Sequence, residues 1–307
     1  MLVYAGSSHT ALVEATCARL GCPPGRLRRV RFSNDCIKVQ VEDAVRDEDV
    51  FVVQTGAAPL SDHLIELFIL LDALRTASAR RITVALPYYP YVRSDKKDEP
   101  GVSIAARLMA DLLATSGADR VLVLDLHAPQ VQGFFRIPAD HGTSVPLLAE
   151  AVRQLVPLER LTVVAPDAGA AKLAERYAKL LGAEIAILEK ARSGDDESAR
   201  AVRMVGDVSG RDALVVDDEV STGGTLVEAV ELLHARGARK VFASIVHGCL
   251  VGPALERLSA SRLERLITTD TLPPKQHPKV HAVTIAPLLA ELIGRMHRGA
   301  SIDDLWA

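Results

Sequence analysis

Leu214-Val-Val-Asp-Asp-Glu-Val-Ser-Thr-Gly-Gly-Thr225 is the stretch on which the fold turns. It opens as a buried strand and ends that strand on two carboxylates, Asp217 and Asp218. Hydroxyls and glycines follow at once, Ser221-Thr222-Gly223-Gly224-Thr225, and lead into the helical run LVEAVELLHARGA. Glycines at such a junction let successive backbone N–H groups converge. The hydroxyls add donors and the helix N-terminus adds positive potential, so the loop can cradle a phosphate. Carboxylates just ahead of it suit the vicinal hydroxyls of a ribose, directly or through Mg2+. A plain glycine turn with Ser or Thr as helix cap uses the same letters, but the acidic pair set directly before the hydroxyl-glycine loop favours the sugar-phosphate reading.

The same strand-helix alternation extends outward in both directions. KVFASIVHG follows the helix, while LTVVAPDAG, AKLAERYAKLLGA and EIAILEKAR come before the strand, with a polar stretch between. In the first half, FVVQT at 51–55 leads to SDHLIELFILLDALRTA, then RITVALPYYP, a polar loop, SIAARLMADLLATSGA and RVLVLDL. The strands are apolar enough to be covered on both faces, which predicts parallel sheets wrapped by helices. The expected class is α/β, with two similar domains, each a mainly parallel sheet flanked by helices. They are placed at residues 1–143 and 144–307, with the last 15 or so packing back on the N-terminal domain.

Length and composition agree. The 307 residues suit two domains of roughly 150 each. With 49% hydrophobic and 24% charged residues, disorder, collagen and coiled coil are excluded. Lys and Arg number 36 against 39 Asp and Glu, a net charge of −3, so no global field recruits nucleic acid or an anionic membrane. Any anion site must be built locally. Cys17, Cys22, Cys36 and Cys249 show no CxxC or zinc-like spacing and read as free thiols in a reducing compartment. The start, MLVYAGSSHT, lacks a leader pattern. The most apolar stretch, Leu64 to Leu74, is cut by Glu66 and Asp72. The expectation is a cytoplasmic chain with neither nucleic-acid nor membrane partners.

The 214–225 segment resembles the phosphoribosyl-diphosphate binding motif of the type I phosphoribosyltransferase fold. Beyond it, nearly the whole chain resembles one branch of that group, the ribose-phosphate pyrophosphokinases (PRPP synthetases). RFSNDCIKVQVED is similar to that family's RFSDGE segment, and PYYPYVRSDKKD, DLHAPQVQGFF, APDAGAAK and EKAR follow in the family's order. The resemblance implies transfer of the β,γ-diphosphoryl group of ATP to the 1-hydroxyl of ribose 5-phosphate, giving PRPP and AMP, with Mg2+ as the metal. It implies metal positions at His127 and Asp167, with His127 also on the ATP side. Lys190 and Arg192 become the catalytic cations, Arg192 also facing the ribose phosphate. Phe32, Asn34, Asp35, Cys36, Arg93, Ser94 and Asp95 are assigned to ATP. Asp217, Asp218, Ser221, Thr222, Gly223, Gly224 and Thr225 are assigned to ribose 5-phosphate. Homo-oligomers, dimers associating into hexamers, follow from the same resemblance.

The chain departs from the family pattern at four places, of which Ser94 is one, replacing a glutamine whose longer amide could reach the nucleotide. Asn34-Asp35-Cys36 stands where the family has Asp-Gly-Glu, which bears on nucleotide selection. Ser221 replaces the aspartate that usually heads the DTGGT loop, keeping a donor and removing a negative charge beside the phosphate. The loop from Lys96 to Ser103 sets two lysines against Asp98 and Glu99 and holds no arginine where many relatives are arginine-rich, which bears on allosteric control by phosphate or ADP. Two other roles compete with the diphosphokinase reading: a non-catalytic regulatory relative of the synthetase, and a phosphoribosyltransferase that consumes PRPP. Loss of His127, Lys190 or Arg192 would have marked the first, and one α/β half would suffice for the second.

Overall fold

The chain folds into two α/β units, and the computed structural model describes residues 1–190 and 202–305. Unit 1 comprises Met1–Thr143 with Thr271–Pro273 and Thr284–Ala307, and unit 2 comprises Ser144–Asp270 with Pro274–Val283.

Unit 1 carries strands β1 (Leu2–Ala5), β4 (Asp49–Val53), β5 (Arg81–Leu86), β6 (Arg120–Leu124) and β7 (Ala139–Gly142) in one sheet of order β1-β4-β5-β6-β7. Every pairing in it is parallel. Successive strand residues point to opposite faces, and β4 is buried at all five positions, so helices must cover both sides. Val50, Val52, Val84, Val121 and Val123 pack with Leu67, Leu70, Leu71 and Leu74 of α2 (Leu60–Thr76) and with Met109 and Leu113 of α3 (Ala105–Ser116). On the other side α1 (Thr10–Leu20) packs on α8 (Ala286–Arg298), which arrives from the far end of the chain. A separate antiparallel hairpin, β2 (Leu27–Arg31) and β3 (Ile37–Val41), pairs Arg29 with Val39 and Arg31 with Ile37.

Unit 2 is built on a seven-stranded sheet of order β10-β9-β8-β11-β12-β13-β14. Its strands are β8 (Leu161–Ala165), β9 (Glu184–Lys190), β10 (Val202–Val205), β11 (Asp212–Val220), β12 (Lys240–Gly248), β13 (Leu263–Thr269) and β14 (Val280–Val283). All pairs are parallel except the edge pair β9–β10. Central β11 shows why an unbroken apolar run suits this position. Leu214 and Val216 pack with α4 (Val145–Leu155) and α5 (Ala171–Leu181), while Val215 packs with α6 (Gly224–Ala235) and α7 (Ala254–Ala260).

Candidate functional site

In open parallel sheets, ligands gather where strands end and helices begin. In unit 2 that place is the loop after β11. Asp217 and Asp218 are half-buried at the end of the strand's apolar run, and Ser221 to Thr225 follow with Thr222 and Thr225 exposed. Gly223 sits at φ +77°, the left-handed region, and is the residue preceding α6. Having no side chain, it caps none of the helix's first N–H groups, and those donors are the ones an anion would take up.

The acidic pair is electrostatically crowded. Burial drives the Asp217 carboxyl well above the ordinary carboxylate range. The hydrogen bond and charge of Asp218 push the same way, as does the charge of Asp167; only the Asp218 backbone N–H, donated to Asp217 Oδ1 at 2.9 Å, acts against them. Asp167 follows β8, the parallel neighbour of β11. It is exposed, and its Oδ1 accepts from Gly169 N at 2.8 Å and Ala170 N at 3.2 Å. A cation relieves such crowding. Among the described residues no three His, Cys, Asp or Glu side chains form a ready metal cage. The crowded carboxylates suit a hard divalent cation, which takes a carboxylate or two and fills its remaining positions with other oxygens.

In unit 1 the corresponding strand ends are those of β5 and β6. Arg93, Ser94, Lys96, Asp98, Glu99 and Val102 line a cavity of about 330 Å³ in the loop between β5 and α3. Ser94 N donates to Tyr91 O at 2.8 Å, and Tyr91 itself turns the chain at φ +57°. After β6, Asp125 adopts φ +42° and is held by Thr143 Oγ1, which donates to Asp125 Oδ1 at 2.7 Å. This turn leaves Leu126 buried and His127 exposed. The two loops meet: Gln130 Nε2, in the 3₁₀ turn Pro129–Phe134, donates to Asp95 Oδ2 at 2.8 Å. Arg93, Ser94 and Asp95 therefore lie on one loop joined to the segment that carries His127.

The hairpin tip is tied elsewhere. Phe32 is 50% exposed, and Phe32 N donates to Cys36 O at 2.9 Å. Asn34 Oδ1 accepts from Cys36 N at 3.2 Å, and Asp35 stands at φ +69°. The hairpin's ties run to α2 and to the end of β1. Lys190 is the last residue of β9, paired by register with Val202; Arg192 lies outside the described residues.

Sequence comparison sets these features in a lineage. Residues 1–117 match the model of the N-terminal domain of ribose phosphate pyrophosphokinase, and residues 196–307 match the phosphoribosyl synthetase-associated domain. Ribose-phosphate pyrophosphokinase of Deinococcus radiodurans is 42% identical over 313 residues, covering 100% of this chain and 98% of the relative. The enzyme of Aquifex aeolicus is 41% identical, covering 99% of this chain and 98% of its own. The crystal structure of phosphoribosylpyrophosphate synthetase from Mycobacterium smegmatis superposes with a TM-score of 0.91 at 39% identity, covering 97% of this chain and 99% of that one. The chain belongs to the ribose-phosphate pyrophosphokinase family. Its two α/β units, each built on a mainly parallel sheet, are the fold class that the strand–helix alternation implied.

Against this pyrophosphokinase frame, reading the sequence missed two residues. Arg257, on α7, donates from Nη1 to Thr222 O at 3.0 Å. A Cβ on Gly224 would lie 3.4 Å from that guanidinium, an ordinary contact with the end of a long side chain, so it is the hydrogen bond to Thr222 O that ties Arg257 to the loop. The other is Gln130, within DLHAPQVQGFF, whose amide joins the two unit 1 loops. Arg257 arrives from beyond β12 and no local pattern announces it; Gln130 was in plain view, but its partner Asp95 was not.

Proposed function

We propose that the chain forms PRPP and AMP from ribose 5-phosphate and ATP, with unit 2 holding the sugar phosphate at the β11–α6 loop and unit 1 supplying the nucleotide residues. The activity is that of the ribose-phosphate pyrophosphokinases to which the chain belongs. One observation supports the sugar-phosphate assignment most directly. A glycine at φ +77° leads into α6 five residues after Asp218, the second of two carboxylates in the last part of β11 (Asp212–Val220), so amide donors and ribose-hydroxyl acceptors stand at one strand–helix junction.

Each residue then has physical work to do. Backbone amides of Ser221–Thr225 take the 5-phosphate, with the Thr222 and Thr225 hydroxyls as further donors. Asp217 and Asp218 accept from ribose hydroxyls and so orient the sugar. Arg93, Ser94 and Asp95, the His127 segment and the tip residues Phe32, Asn34, Asp35 and Cys36 bind ATP; Phe32 offers an aromatic face to the base. Phosphoryl transfer depends chiefly on positioning and charge neutralisation. Lys190 and Arg192 are assigned to the charge on the transferred diphosphoryl oxygens. Mg2+, when bound with contributions from His127 and Asp167, neutralises phosphate charge. Ser221 keeps a donor where an aspartate would repel the phosphate. A regulatory, non-catalytic role is the weaker reading, because the residues it would have lost are present.

The assembly we propose is a dimer-based hexamer in the cytoplasm, testable by light scattering after size-exclusion chromatography. No helix among the described residues is long and apolar enough to cross a membrane. The decisive assay mixes purified protein, Mg-ATP and ribose 5-phosphate and follows AMP and PRPP by chromatography. Stoichiometric appearance of both is expected, and a folded protein giving no AMP above background rejects the proposal. Lys190→Ala should lower kcat by about 10²–10³-fold, the scale seen when one charge-stabilising donor is removed, with ribose 5-phosphate binding little changed. Full turnover in that variant would remove Lys190 from the chemistry.

A further inference from the structure

The β2–β3 hairpin pairs with neither large sheet, and a two-stranded ribbon alone is marginal in water. Something other than strand pairing must set the direction of its tip. Arg29 and Arg31 occupy alternate positions of β2, hence one face, roughly 6.7 Å apart along the strand. Asp62 and Glu66 lie about one turn apart on α2, roughly 6 Å along the helix. The two spacings match, and the elements are joined by two rungs. Arg29 Nε donates to Glu66 Oε1 at 2.7 Å, and Arg31 Nη2 donates to Asp62 Oδ2.

Both ends of this ladder are tied further. Glu66, 6% exposed, also accepts from Ser7 N at 3.0 Å and from the Ser7 hydroxyl, while Arg29 donates to Ala5 O. At the other end Arg31 Nη1 donates to Asp35 Oδ1 at 2.5 Å. One guanidinium thus holds the helix with one nitrogen and the turn of the hairpin with the other.

We infer that Arg29, Arg31, Asp62 and Glu66 are positioning residues that aim the hairpin tip at the nucleotide. This rests on the reading that Phe32 and Asn34–Cys36 contact ATP. Arg31 and Asp62 are 43% and 45% exposed, and exposed ion pairs add little to stability. A purely stabilising role therefore predicts almost no consequence from removing one. An aiming role predicts a loss confined to one substrate, because small misplacements of a positioning group weaken what it positions.

The test is steady-state kinetics of the full chain with Asp62→Asn, Asp62→Glu, Glu66→Gln and Phe32→Ala. Asp62→Asn should raise the KM for ATP about tenfold, the scale of one charge-assisted hydrogen bond. Its kcat, its KM for ribose 5-phosphate and its melting temperature should stay near those of the parent, and Asp62→Glu should restore the KM for ATP. Glu66→Gln should act in the same direction; if it fails to fold, Asp62→Asn decides. Phe32→Ala separates the two layers of the argument. An unchanged KM for ATP in Phe32→Ala overturns the assignment of the tip, and the inference with it. A raised KM in Phe32→Ala with an unchanged KM in Asp62→Asn, or an equal loss for both substrates, overturns the ladder's aiming role alone.

Discussion

Gly223 shows how a single residue can set the chemistry of a loop. A Cβ there would meet Ala254 at 3.6 Å from its Cα and 3.7 Å from its carbonyl oxygen, ordinary contact distances, so space does not demand the glycine. Its φ of +77° does: an L-residue in that region costs about 1–2 kcal/mol. Gly223→Ala should therefore open the turn and misdirect the first amides of α6. We expect the KM for ribose 5-phosphate to rise about tenfold, the equivalent of roughly 1.4 kcal/mol, with the KM for ATP near the parent value. An ATP defect alone would show that this loop does not hold the sugar phosphate. The sequence announced the need for glycine at 223 because loop glycines between strand and helix have few other uses. It was silent about Arg257, whose guanidinium reaches the loop from a helix more than thirty residues on.

At the scale of elements, one buried carboxylate ties three of them. Asp49 at the start of β4 is 1% exposed and accepts from Arg81 Nε at 2.8 Å and Arg81 Nη2 at 2.7 Å, across to β5. Its Oδ2 also lies 2.6 Å from His297 Nδ1 on α8, and Arg81 Nη2 donates to Met296 O at 3.1 Å. Burial opposes ionisation of Asp49, but the hydrogen bonds and charges of Arg81 and His297 outweigh it and hold the carboxyl below its usual value. A carboxyl whose pKa is lowered by folding stabilises the fold above its unfolded value, near 3.9, and this contribution is lost as pH falls through the lowered one. Asp49→Asn should destabilise by about 2 kcal/mol at neutral pH. Its melting temperature should also fall less than the parent's on acidification below pH 4. Parallel pH profiles for the two proteins would show that Asp49 does not carry this acid sensitivity. None of this triad was visible in advance: β4 and α2 could be read from their apolar periodicity, but His297 stands 248 positions from the carboxylate it meets.

The whole molecule adds what no local pattern contains. Apolar strands alternating with amphipathic helices were enough to read two parallel sheets, because a strand covered on both faces has few other homes. The hairpin was harder, since Arg29 and Arg31 along β2 look like part of a solvated basic run until their partners on α2 are known. No local pattern announces the chain's return to unit 1. Yet α8 fills the unit as if it were the next helix of the first half. Leu289, Leu292 and Ile293 are fully buried and Met296 is 2% exposed; Leu292 comes close enough to Gly142 that a Cβ there would stand 2.9 Å from it. At about 1.5–3 kcal/mol for each such side chain, burial by this helix rivals the roughly 5–15 kcal/mol that stabilises a whole domain. A chain ended after Val283 should therefore leave unit 1 unable to hold its packed state, although β1 to β7 all remain in it. We expect weakened near-ultraviolet circular dichroism, dye binding to exposed apolar surface and aggregation at neutral pH. A soluble truncated chain with the parent's near-ultraviolet spectrum and melting temperature would show instead that the first 143 residues need nothing from the C-terminal helix.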